Sequence, residues 1–383
     1  MVSWAILFTF LLSGSALAAA DTGANSSAES KRQDDPTQPV GINPISTFKT
    51  LYIGRQNAIN SCSHRDLGFT GSLQGKWYAV YGDTLWCSPG VTDPEKDPGG
   101  FHGMVRDSVS LMTDNPLVVE DLHLNNDFPG HQLQFIPFNE AWHETNLYGF
   151  GGTSIVETVN GDGIVFFLVN ANEAGLQGAG IAKVELVNGE PTVTQRFGEY
   201  GYWWLANTTP RYGDVAAFRD PHSDYRYIYA WGGAPTSVLD YVSARYVYLL
   251  RVQAASTEDL GSYEYWWGEE AGGWKKGQPL TEFKAQTAVM WNTGQGQIVW
   301  NDYYRCYIFV HLEPGTGDVV LRTATALEGP WTPDVKVYTA TPIDGGLTYA
   351  GVAHPYLDSS GRTLTISYTN NNRIEVIRVT FSI

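Results

Sequence analysis

From residue 41 onward the chain repeats one pattern: a strand-length run in which aromatic and β-branched residues alternate with polar ones, a turn of Gly, Asn or Asp, then a second such run. Runs such as Trp77 to Tyr81, Ile164 to Val169, Arg226 to Trp231 and Thr363 to Tyr368 have the side chains that suit a pleated, half-buried surface. The pattern predicts hairpin turns at 73–76, 160–163, 188–189, 220–224, 314–318 and 358–362. No helix of convincing length emerges; the best amphipathic stretch, 256–260, is too short to matter.

Strands of ~5 residues with connections of ~5 allow about five to seven four-stranded blades between residues 41 and 383. The longer connections favour five. The sequence therefore predicts an all-β fold, a five-bladed β-propeller of four-stranded antiparallel blades, with blades starting near Asp66, Gly149, Asp214, Trp300 and Gly351. The last strand, from Ile374, either completes the fifth blade or closes the ring against an N-terminal strand. A ring also removes the sheet edges that so many hairpins would otherwise expose. A two-sheet sandwich is the alternative.

Composition sharpens this picture. The 41 Gly, 22 Tyr, 16 Phe and 13 Trp against 4 Met suit short strands and tight turns. Forty acidic and 24 basic residues give a net charge of −16, a field that repels phosphate backbones and anionic membrane surfaces, so neither nucleic acid nor membrane is expected as a partner.

At the N-terminus a short apolar run, Trp4 to Leu12, ends in Ala16-Leu17-Ala18, so residues 1–20 read as a signal peptide and the protein as secreted. Residues 21–40 are polar and poor in large apolar groups, hence a disordered tail or pro-segment, in which Lys31-Arg32 offers a processing site. Residues 41–383 form a single propeller domain. In an oxidising compartment Cys62 and Cys87, which flank one predicted hairpin, are expected to pair, leaving Cys306 as a buried strand residue. Asn25 and Asn207 stand in N-x-S/T sequons and are glycosylation sites if exposed.

Two segments beside the first hairpin, Arg65-Asp66-Leu67-Gly68-Phe69-Thr70-Gly71 and Tyr81-Gly82-Asp83-Thr84, resemble the domain-of-unknown-function 4185 family of secreted proteins. Thr325 to Trp331 is similar to a turn of five-bladed glycosidases such as families 43 and 62, and Ala353-His354-Pro355-Tyr356 with Leu364 to Asn370 looks like their closing blade. The resemblance, carried best by the first and last blades, implies a propeller related to glycosidases, some of them endo-D-arabinanases. It also implies that His354 lies beneath a central site.

Hydrolysis of a glycosidic bond generally uses two carboxyl groups, one to protonate the leaving oxygen and one to attack or to activate water. Innermost propeller strands line a shared channel, so acids at blade starts can meet there. Asp66, Asp83 and Asp214 are the catalytic candidates: Asp66 as base, Asp214 as acid, Asp83 as positioning group or alternative acid, with Gly82 letting the backbone turn the Asp83 carboxylate inward. For Asp83 and Asp214 a structural role in a turn is the competing reading; Glu144 and Asp107 are lesser candidates. Arg65, His354 and the flat rings of Trp142, Trp203 and Trp267 are the substrate-binding candidates. With no H-E-x-x-H, no Cys/His cluster and no EF-hand loop, no cofactor or catalytic metal is expected, although a central structural Ca²⁺ or Na⁺ is compatible with the channel. The function expected is a secreted glycoside hydrolase acting on a furanose-containing polysaccharide, an arabinan above all. A non-catalytic carbohydrate-binding propeller is the alternative.

Overall fold

The computed structural model describes residues 43–128 and 130–382. The expected signal peptide, the tail with Lys31-Arg32 and the Asn25 sequon lie outside the described residues. Within them the chain is all-β, and its only helical pieces are single 3₁₀ turns of three residues.

The strands fall into five consecutive antiparallel runs. The first contains Ser63–Leu73, Lys76–Trp86, Ser108–Met112 and Val118–Asp121. The second contains Gly149–Glu157, Gly163–Asn170, Leu176–Val187 and Glu190–Arg196. The third runs from Arg211–Arg219 through Tyr227–Gly233 and Tyr246–Gln253 to the short strands Glu264–Trp266 and Trp274–Lys276. The fourth is Gly296–Asn301, Cys306–Leu312, Asp318–Ala324 and Val335–Thr339. The fifth is Thr348–Ala353, Thr363–Asn370 and Ile374–Ser382. Its fourth strand comes from the other end of the described chain: Thr47–Arg55 pairs antiparallel with Ile374–Ser382, so N- and C-terminal strands share one sheet. The fourth and fifth runs meet at a single parallel pair, Gly296 with Gly351, and so form one hydrogen-bonded sheet of eight strands.

The predicted turns all join strands, and Asp66, Gly149, Asp214, Trp300 and Gly351 each lie in the first strand of a successive run. These five first strands neighbour one another in order, and the fifth lies against the first. Three of them are tied by side chains, because Thr70 Oγ1 donates to the Ala353 carbonyl at 2.7 Å and Gln297 Nε2 donates to the Thr70 carbonyl at 2.8 Å. The core consists of layers between successive sheets: Val80 with Phe150 and Phe167, Phe166 with Tyr212 and Tyr248, Leu249 with Ile298 and Phe309, Val310 with Ile366 and Ile377. Each such fully buried side chain contributes roughly 1.5–3 kcal/mol. Cys62 and Cys87 form a disulfide at the base of the first hairpin, and Cys306 is buried and free.

Candidate active site

Four of the five first strands carry a register shift against their neighbour: at 65–69, 152–155, 212–216 and 349–352. An extra residue at a bulge bends the strand and re-aims a side chain. In the first run the bulge is Asp66-Leu67-Gly68, with Leu67 at φ 64° and Gly68 at φ 84°. A left-handed φ is costly for leucine and tolerable for glycine, and any side chain at 68 would also meet the Tyr81 ring at 2.9 Å. In the third run Gly213, at φ 95°, precedes Asp214, and in the fifth Ala350, at φ 57°, follows Tyr349. The bulges thus deliver Asp66, Asp214 and Tyr349 to one end of the ring.

There Asp66, Asp83 and Asp214 line a single cavity of about 130 Å³, together with Arg106, Arg211 and Gln295. Asp66 is buried. Its Oδ2 accepts from the Tyr349 hydroxyl at 2.5 Å, while its Oδ1 is buried with no hydrogen-bond partner among the described residues. Burial first, and then the Asp83 charge, push its pKa from 3.8 up to about 8, so at neutral pH it holds a proton. Asp83 is raised by burial too, but the Arg106 guanidinium, 3.6 Å from its Oδ1, opposes that shift. Its side chain remains one-quarter exposed to the cavity.

Asp214 differs. Its Oδ2 accepts from Arg211 Nε at 2.7 Å and its Oδ1 from the Gly233 amide at 2.8 Å, so both oxygens already have donors.

Gly82 has a role other than the expected one. Its φ is not left-handed, so it does not serve to turn Asp83 inward. A Cβ at this position would lie 2.2 Å from Asp66 Oδ1, so the glycine leaves room for the second carboxyl.

The substrate-binding candidates lie elsewhere. The Arg65 side chain, one residue before Asp66, is buried, forks onto both oxygens of Asp121 at 2.7 and 2.9 Å, and stacks on Tyr81. His354 is buried, bonds Ser367 Oγ at 2.9 Å, and is held neutral because burial lowers its pKa to about 3. Trp142 stacks on Arg196, Trp203 packs against Phe197 and Tyr263, and Trp267 donates to the Gln278 carbonyl at 2.9 Å. None of these five lines the cavity. Glu144 is bound by Arg196 through both oxygens, and Asp107 accepts from the amides of Phe135 and Ile136. Asn207 is exposed.

Residues the sequence reading did not single out complete the site: Tyr349, Arg106, Arg211 and Gln295. Tyr349 had a readable signal, two positions before Gly351 on a predicted innermost strand. Among the described residues one group of three potential metal ligands comes together, His64, Cys87 and Asp97, and Cys87 is committed to its disulfide.

A second cavity of about 340 Å³ adjoins the first and shares Arg211, Asp214 and Gln295 with it. It crosses the remaining side of the ring, between residues of the third, fourth and fifth runs.

Residues 191–380 match the family described as "Domain of unknown function (DUF4185)". That span holds Asp214, Tyr349 and the late segments that carried the resemblance. It also takes in the middle of the chain, where the resemblance is weakest on sequence motifs, and it leaves out the D-L-G and G-D-T segments. The fold is shared with a hydrolase candidate from Bacteroides ovatus at 17% identity over 84% of this chain and 86% of that one, with a TM-score of 0.56. More distant are the GH43_1 enzyme from Xanthomonas citri (14% identity, 86% and 90% covered, TM-score 0.49) and a family 117 glycoside hydrolase from Zobellia galactanivorans (11%, 91% and 93%, 0.48). No curated protein matches the chain.

Proposed function

We propose that this protein, whose C-terminal half matches DUF4185, is a secreted glycoside hydrolase built as a five-bladed propeller, and that its substrate is a furanose-containing polysaccharide, an arabinan first of all. The observation that carries the reading is a pair of carboxyl groups in one cavity, both raised by burial but only one of them facing an arginine. Burial raises the Asp66 pKa to about 8, and one of its oxygens has no hydrogen-bond partner among the described residues; Asp83 faces Arg106 and is open to the cavity.

In this reading Asp66 gives its proton to the glycosidic oxygen as the bond to the anomeric carbon breaks. Asp83 supplies the electron pair, by attack on that carbon or by taking a proton from the attacking water. Loss of the Asp66 proton is resisted by the neighbouring Asp83 charge, which sets the two groups in different protonation states. Tyr349 orients Asp66. Asp214, with both oxygens occupied, holds Arg211 against the cavity wall. This exchanges the roles suggested by sequence: Asp66 moves from base to acid, and Asp214 from acid to support. No step requires a metal. The disulfide supports an oxidising destination, and exposed Asn207 is the glycosylation site of the described chain in this reading.

The test is product release from D-arabinan, L-arabinan, arabinoxylan and galactofuran by the wild type beside Asp66→Asn and Asp83→Asn. Release by the wild type, lost in both variants, is expected. Retention of one polymer without release, unchanged in the variants, would overturn it in favour of a carbohydrate-binding module.

A further inference from the structure

The larger cavity has a charge balance opposite to that of the chain. In a protein of net charge −16 its wall carries two arginines, Arg211 and Arg245, and one carboxylate, Asp214. Asp214 is already taken by Arg211. Arg245 therefore faces the cavity without an acidic partner among the described residues.

Its guanidinium is nonetheless held in place. Nη1 donates to Asn292 Oδ1, and the group stacks over Tyr241 with its carbon 4.1 Å from the ring centroid. The remaining donors of that planar fork have no hydrogen bond among the described residues. Thr293, on the same wall, has a buried hydroxyl that also lacks a partner. An arginine immobilised in this way has lost much of its side-chain entropy before any ligand arrives, and its geometry matches a carboxylate that takes two parallel N–H bonds.

We propose that this cavity is a subsite for a uronic acid unit of the glycan, its carboxylate bound by Arg245 and a hydroxyl or carboxylate oxygen bound by Thr293. The inference rests on the reading that the cleft binds a polysaccharide, and it narrows that reading to chains that carry acidic sugars beside neutral ones. The long-range field opposes an acidic polymer, so the preference is a short-range property of this cavity and is best read near 0.15 M salt, where the field is screened within ~8 Å.

The experiment measures binding of arabinoxylan oligosaccharides bearing glucuronic acid, and of the same oligosaccharides after carboxyl reduction, to the wild type, Arg245→Gln and Arg245→Lys. The expected wild-type preference for the acidic form is about 10-fold or more, the size of a charge-assisted hydrogen bond. It falls towards 1 in Arg245→Gln and is partly kept in Arg245→Lys. A wild-type ratio near 1, a ratio that Arg245→Gln leaves unchanged, or no binding of either form overturns the proposal. A sulfated oligosaccharide that outcompetes the carboxylated one overturns the assignment to uronate.

Product release is followed in parallel, which separates the two readings. Acidic preference lost in Arg245→Gln with no release by any protein keeps the subsite and removes the hydrolase. Release of neutral products with no acidic preference does the reverse.

Discussion

The first and third runs each send an aspartate from a bulged inner strand into the same cavity, yet the two carboxyls are in opposite condition. Asp66 has one tyrosine donor and one oxygen without a hydrogen-bond partner among the described residues. Asp214 has an arginine on one oxygen and a backbone amide on the other. Both residues sit at a bulge, and both are nearly out of contact with solvent. What separates them is the inventory of donors around each, and that inventory decides which carboxyl keeps an oxygen available and which has both engaged.

The largest expected effect comes from breaking the comparison at its two ends. Asp66→Asn and Asp83→Asn should each lower kcat by about 10²–10⁴-fold, the scale of a lost general acid or its partner. Asp214→Asn should cost no more than about 10-fold. Steady-state kinetics on the responsive polymer checks this, and an Asp214→Asn loss as deep as that of Asp66→Asn would erase the distinction.

Gly82→Ala comes next. Its added methyl group falls 2.2 Å from Asp66 Oδ1, so the carboxyl must move, and a displacement of that order is expected to cost about 100-fold in kcat. The fold should persist, as judged by an unchanged far-ultraviolet circular dichroism spectrum.

Stability should respond in the opposite sense. Asp214→Ala leaves Arg211 short of its carboxylate in a mostly buried setting, and denaturant unfolding should show a loss of about 1–3 kcal/mol. Asp66→Asn removes a group whose burial already opposes its charge, and it should cost less than this or nothing.

The smallest effect is on pH dependence. Activity that needs protonated Asp66 should fall as pH rises through about 8, because the proton is lost there. The Tyr349 hydroxyl favours the ionised carboxyl by donating to it, so Tyr349→Phe should move that alkaline limb upward while lowering the rate only modestly. A limb that moves downward would contradict the assignment.

Much of this was legible in sequence, for physical reasons. Hairpin turns at Asn188-Gly189 or 358–362 follow from local turn chemistry, and the five first strands follow from a repeat of turns and aromatic runs. Asp66 and Asp214 reach one cavity because inner strands of a closed arrangement converge, and Asp83 reaches it from the strand paired with the one that carries Asp66. The functional reading of Arg65 failed where strand alternation was available to correct it: neighbours on a strand face opposite ways, and Arg65 faces Asp121. The Trp residues are candidates for a binding surface on sequence, but Trp203 and Trp267 are half-buried against the core of the second and third runs, and Trp142 stacks on Arg196. The left-handed Leu67 and the contact between Tyr349 and Asp66, 283 positions apart, have no local signal. They arise only when the last run closes on the first.

The most direct test of the account is the ionisation of Asp66 itself, followed by carbon-13 NMR of the aspartate carboxyls in wild type and Asp66→Asn from pH 3 to 10. The account predicts a carboxyl that remains protonated at pH 7, titrates near pH 8 and is missing from the variant, whereas the signal of buried Asp107, whose pKa burial also raises, persists in both proteins. If the carboxyl signal lost in Asp66→Asn is already ionised by pH 6, Asp66 is not the proton donor and the contrast with Asp214 fails.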